Sequence, residues 1–358
     1  MKRFTVPMAL AVLFLVLSFL SYQEYIDKYL QSVIMFMGIN IILSTSFNII
    51  NGYMGEFACG HAAFMCVGAY AGSILNVILF TDNKLVGDAL LDASLALYCF
   101  PLIVLFAGAV SALAGLLVAI PSFKTRDDYL AIITIAANFI ITSAIINISA
   151  IGGSRGFMGM KSIVFAMEDT IDLPWMLIWV FLFTVMTVWL IRRFVTSTYG
   201  KGIIAIHQDE IAAEIMSVNT DKMKVVAFMF SSGLAGVAGV LFAHILGYIN
   251  PTSFGILKST ECLVMVYLGG MGSLSGAVIS AIIFTLMIEG FRFIIPQVDS
   301  ILHALALLPD TYQLSQIWKW VLIPLILVLL MQFRPAGIMG SKELSDVFPR
   351  LKRWYAFK

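Results

Sequence analysis

Long runs of residues with almost no charge constrain this chain more than anything else in it. Ile34 to Ile50, Phe100 to Ile120, Trp175 to Ile191 and Val321 to Met331 are examples. A helix of about 20 apolar residues crosses a bilayer while satisfying every backbone amide within itself. A water-soluble domain carries about 25% charged residues. The 358 residues here are 12% charged and 60% hydrophobic. The fold class that follows is an all-α polytopic membrane protein, one transmembrane domain over 1–358 embedded in a lipid bilayer.

The polar and glycine-rich joints divide the chain into about ten expected spans by the length rule. They lie near 5–20, 31–50, 60–80, 96–120, 129–150, 174–191, 223–247, 258–270, 273–290 and 316–332. Lys2 and Arg3 ahead of Met8 to Leu20 give the outline of a signal peptide. No small-x-small cleavage pattern follows, so the segment is read as a retained first helix. With the N-terminus inside and the spans alternating, fifteen of the 22 lysines and arginines fall on the inner side. That excess sets the orientation, with both termini and a tail over 341–358 in the cytoplasm.

The same composition excludes other classes. A net charge of +1 supplies no basic field for nucleic acid. Cys59, Cys66, Cys99 and Cys262 lie in or beside apolar segments without a CxxC pair, and read as small hydrophobes rather than metal ligands. No cofactor is expected. "GEFACGHA", from Gly55, has the glycine spacing of a phosphate-binding loop. His61 and Ala62 stand where that loop needs Lys and Ser or Thr, so nucleotide binding is rejected.

One stretch breaks the apolar pattern. "YGKGIIAIHQDEIAAEIMSVNTDK" runs from Tyr199 to Lys222, inside a cytoplasmic loop expected over 192–224. Its centre can form a short helix, with Asp209 and Glu210 at the dipole's positive end. Ile211, Ala212 and Ile215 then share one side, with Glu214 beside them. A low apolar surface with a charged rim fits a groove on a partner protein. The alternative is an amphipathic helix lying on the membrane or on its own chain.

Three more stretches join this one: "NGYMGEFACGHAAFMCVGAYAGSIL" from Asn51, "STECLVMVYLGGMGSLSGAVISA" from Ser259 and "FRPAGIMG" from Phe333. Together they resemble the permease subunits of bacterial branched-chain amino acid ABC importers, of the LivM type, over about Ile39 to Gly340. The resemblance implies a type II ABC importer permease fold in the bacterial inner membrane. It implies a second permease subunit, two ATP-binding subunits and an extracytoplasmic solute-binding protein as partners. Leucine, isoleucine and valine are the solutes it implies, with urea, short amides and other amino acids as the alternative. Ala212, Ala213 and Glu214 match the family's ATPase-coupling motif, flanked by Gly200, Asp209 and Glu210. The chain departs from the family at Glu56, where Gln is usual, at Ala58–Cys59, where Ser-Leu is usual, and at Ser217, where glycine is usual.

The expected translocation pathway gathers Gly52, Gly55, Glu56, Gly60, His61, Asn138 and Glu261. Glycines allow close helix approach and local breaks. Ionisable groups at membrane depth point to function. Helix packing or solvation at the inner surface is the plainer reading of the same residues. "IGGSRGFMGM" at 151–160 is an outer turn that could shape a docking surface for the binding protein. The rival of another class is an ion-driven secondary transporter with Glu56 or Glu261 as proton carrier, a scheme with no need of the 199–224 island.

Overall fold

The structure is a computed structural model and describes residues 5–23, 25–81, 87, 89–123, 129–304, 315–334, 336–340 and 342–347. Lys2, Arg3, Lys84, Lys124, Arg126 and the tail beyond 347 lie outside the described residues.

Helices dominate. In chain order they are α1 (Thr5–Tyr22), α2 (Lys28–Asn48), α3 (His61–Phe80), α4 (Ala96–Ser122), α5 (Leu130–Asn147), α6 (Met160–Thr170) and α7 (Trp175–Thr196). There follow α8 (Thr198–Gln208), α9 (Glu210–Ile215), α10 (Thr220–Leu246), α11 (Ile256–Gly269), α12 (Leu274–Ala304), α13 (Lys319–Phe333) and α14 (Leu344–Val347). Among the described residues, eight helical segments are long and apolar enough to cross a membrane. The two other expected spans differ in kind. The first is α1, of 18 residues. The other, expected at 258–270, is α11, whose 14 residues rise only about 21 Å at 1.5 Å each, short of a full crossing. Gly270, at φ 107°, ends α11 in a conformation only glycine adopts readily.

Helix α10 stands at the centre, against α2, α3 and α4. Small residues bring the backbones together. A Cβ on Gly68 would collide with the backbone of Gly236, and one on Gly239 with the carbonyl of Met65. Ser111 of α4 donates to the carbonyls of Phe64 and Ser232, both at 2.8 Å, so one hydroxyl ties α4 to α3 and α10. Helices that associate in lipid gain little from hydrophobic exclusion, so close contact and buried hydrogen bonds take over. Large apolar side chains point outward instead. Leu102, Leu113 and Leu117 of α4 are 66%, 59% and 74% exposed, as a lipid-facing surface requires.

The two ends of the bundle differ. One carries the loop from 197 to 219, Gly55 and the 270–273 turn. There Glu343 accepts from the amides of Leu274 and Ser275 at 2.8 and 3.1 Å, placing a carboxylate on the start of α12. Residues 342–347 therefore pack on the bundle, with Glu343 buried. At the other end, β1 (Phe157–Met158) pairs antiparallel with β2 (Tyr248–Ile249). This pairing fastens the 151–160 turn to the end of α10, and Tyr248 donates to the Arg155 carbonyl at 2.9 Å.

Candidate functional site

The polar island folds as two short helices and a turn, each begun by a short polar side chain. Ser197 accepts from the Gly200 amide at 3.4 Å and opens α8. Asp209 accepts from the Ala212 amide at 3.0 Å and opens α9. Asn219 accepts from the Lys222 amide at 2.9 Å and opens α10. Such N-caps satisfy amides that the helix itself leaves free, each contributing about 1 kcal/mol. Gly200 packs where a side chain would strike the carbonyls of Phe194 and Val195.

Helix α9 has two faces. Ala213 is 5% exposed and faces the chain itself, whereas Ile211, Ile215 and Met216 are 72%, 78% and 77% exposed. Ala212 is exposed on the same outward side, and Glu214 accepts from Thr220 at 3.0 Å. Of the two alanines that match the coupling motif, Ala212 is thus outward and Ala213 inward. Three large apolar side chains stand bare on a segment that belongs to no membrane span.

The seven expected pathway residues fall into three places. Gly52 lies against the 270–273 turn, where Asn48 accepts from the Gly272 amide at 3.1 Å. Gly55 and Glu56 meet the polar loop. Gly55 ends the π-helical turn Ile49–Met54 with φ 78°, and a Cβ there would collide with the His207 ring of α8. The Glu56 carboxylate takes Lys224 Nζ at 2.7 Å, and the same ammonium reaches Glu210 at 2.9 Å.

The remaining four surround the start of α3. Gly60 lies on the Thr134 carbonyl, and the Cys59 amide donates to Thr134 Oγ1 at 3.0 Å. Asn138, one turn further along α5, donates to the Phe254 carbonyl at 3.3 Å. The Ala62 amide donates to Ser259 Oγ at 3.1 Å, so the first turns of α3 and α11 meet. His61 is buried with Nε2 2.9 Å from Ser46 Oγ, while Nδ1 has no hydrogen-bond partner among the described residues. Glu261, on α11, pairs with Lys258 at 2.7 Å. The starts of two helices, a buried imidazole and an ion pair therefore come together inside the bundle.

Lys224 is the residue that sequence reasoning missed, since it entered only the charge count. Its signal was position: a lysine at the second turn of an apolar helix has to find a carboxylate.

Comparison with known proteins gives this arrangement a context. LivM proteins of Salmonella typhimurium and Escherichia coli, described as high-affinity branched-chain amino acid transport system permease proteins, are each 28% identical over 306 residues. Those matches cover 78% of this chain and 66% of each relative, just under two thirds of its length. A probable branched-chain amino acid transport permease protein LivM of Methanocaldococcus jannaschii is 22% identical, covering 90% of this chain and 96% of that one. The permease protein LivH of E. coli is 29% identical over 151 residues, 42% of each chain. No solved structure matches the chain. The profile of the family described as the permease component of branched-chain amino acid transport systems matches residues 29–331, nearly all of the helical bundle, and the chain belongs to that family.

Proposed function

We propose that the chain is the permease subunit of an ATP-driven importer that passes branched-chain amino acids handed over by an extracytoplasmic solute-binding protein. It works in the bacterial plasma membrane with both termini in the cytoplasm, paired with a second permease and two ATP-binding subunits. Its likeness to both LivM and LivH proteins supports a permease pair. The observation that carries the reading is the bare face of α9, with Ile211, Ile215 and Met216 each more than 70% exposed. Outside lipid, three such side chains on one short helix and its C-cap cost free energy unless a partner covers them. An apolar groove on an ATPase, rimmed by groups that meet Asp209 and Glu214, is such a cover.

The chain contributes no covalent chemistry. ATP binding closes the ATPase dimer, α9 moves with it, and the spans rock to open the path to one side and then the other. The bundle offers mostly apolar surface to an aliphatic side chain. The first turns of α3 and α11 meet there, and their positive dipole ends suit the amino acid's carboxylate.

The test uses the whole importer. Ile215→Asp puts a carboxylate into the covered face, which costs several kcal/mol when buried. Recovery of the ATP-binding subunits with the permease is expected to fall more than about tenfold, while the permease still inserts. In vesicles, leucine uptake is expected to need ATP inside and binding protein outside. Undiminished recovery of the ATPase with Ile215→Asp would reject the docking face. Uptake by this chain alone, driven by a pH gradient, would reject the ABC reading.

A further inference from the structure

Three charged side chains line up between α9 and the non-helical stretch that leads into α3. Lys224 Nζ lies 2.7 Å from Glu56 Oε1, 2.9 Å from Glu210 Oε1 and 3.0 Å from Glu210 Oε2. The Lys224 and Glu56 side chains are 6% and 9% exposed, and that of Glu210 is 35% exposed. The line therefore runs from the partly wet coupling helix into the dry interior. Beside it, the His207 ring fills the space that a side chain at position 55 would need. The polar loop thus meets Gly55 by shape, through His207, and Glu56 by charge, through Lys224 of α10.

We propose that Glu56, Lys224 and Glu210 act as a strut that carries the displacement of α9 to the Gly55–Gly60 segment. That segment holds the start of α3, where His61 and Ala62 meet Ser46 and Ser259. The three members sit on three separate elements: the segment before α3, the second turn of α10, and α9. A buried ammonium cannot leave either carboxylate without exposing an unpaired charge to a low-dielectric interior. When α9 shifts, Lys224 follows Glu210 and Glu56 follows Lys224. All three are positioning residues; none touches ATP. The inference rests on α9 being the ATPase dock, and its test separates the two.

The experiment is the ratio of leucine imported to ATP hydrolysed by the complete importer in vesicles. Glu56→Leu cuts the inner end of the strut and leaves Lys224 paired with Glu210. The ATP-binding subunits are expected to co-purify with this variant as with the unaltered chain, while leucine imported per ATP falls at least fivefold. Glu56→Gln, which keeps an oxygen for the Lys224 ammonium, is expected to recover most of the ratio. Glu210→Leu cuts the outer, half-wet end, and the same fall is expected. A buried pair that served stability alone would lower protein yield and leave the ratio intact.

A ratio within twofold of the unaltered importer in Glu56→Leu overturns the strut. If Glu56→Leu does not reach the membrane, a ratio within twofold in Glu210→Leu overturns it equally. Failure of the ATPase to bind Glu56→Leu also overturns it, since the inner end would then be part of the dock. Loss of docking in Ile215→Asp bears on the dock alone.

Discussion

The Val218 amide reaches back to the Ala213 carbonyl at 3.1 Å, and this bond closes the C-terminus of α9. A second bond, from the Ser217 amide to the Glu214 carbonyl at 2.8 Å, completes a Schellman cap. Such a cap needs a left-handed residue, and Ser217 supplies it at φ 64°, the one non-glycine residue with positive φ among those described.

Ser217→Gly relieves the contact between Cβ and the backbone that makes this region unfavourable for other residues, by about 1–2 kcal/mol. The freer unfolded backbone of glycine offsets part of that gain. A net stabilisation of α9 of about 0.5 kcal/mol is expected, which slows local opening about twofold. Hydrogen exchange at the Val218 amide reads it. Faster exchange in the glycine variant would show that the cap does not limit opening there.

The orientation is checked by labelling from each side. With Cys59, Cys66, Cys99 and Cys262 replaced, a single cysteine is placed at Ser154, in the turn fastened by β1 and β2, or at Gln208, at the end of α8. Both positions are exposed and lie at opposite ends of the bundle. The orientation expected from the lysine and arginine count has position 208 inside. An impermeant thiol reagent is expected to label Ser154→Cys in intact cells and Gln208→Cys only after the membrane is opened. Labelling at 208 in intact cells would invert the topology.

Much of this arrangement is written locally in the chain, and the exceptions share a physical cause. Ser197, Asp209 and Asn219 begin their helices through bonds from amides three residues on, so the island's outline is legible from sequence. So is the left-handed site at Ser217, from the glycine the family has there. Which alanine of the island faces outward is not legible. Ala212 and Ala213 are adjacent on a six-residue helix, and only the positions of α8 and α10 decide which one is covered. Glu56 and Lys224 belong to segments far apart in sequence, so no local pattern announces their pairing. The length rule fails at 258–270 for a related reason. The apolar residues there continue into "LGGMG", and the left-handed break at Gly270 depends on its packing against Gly340.

The last prediction concerns one of the two carboxylates that a proton-driven mechanism could use, Glu261, and its partner Lys258. Lys258 Nζ lies 2.7 Å from Glu261 Oε2, with the two side chains 16% and 11% exposed, and 5.5 Å from the Phe242 ring. The carboxylate is the ammonium's partner in the bundle, and its loss would strand the Lys258 charge. Removing one partner of a buried pair costs about 3–5 kcal/mol, and the partial exposure here puts the cost at the low end. Glu261→Gln is therefore expected to lower the thermal midpoint by several degrees. Lys258→Met added to it removes the stranded charge and is expected to restore most of the loss, because neighbouring substitutions couple. Uptake by the double variant in the complete importer is expected to remain dependent on ATP and to persist when a protonophore collapses the gradient. Uptake in the unaltered importer that stops with the protonophore while ATP is present, and that the double variant lacks altogether, would make Glu261 a proton carrier.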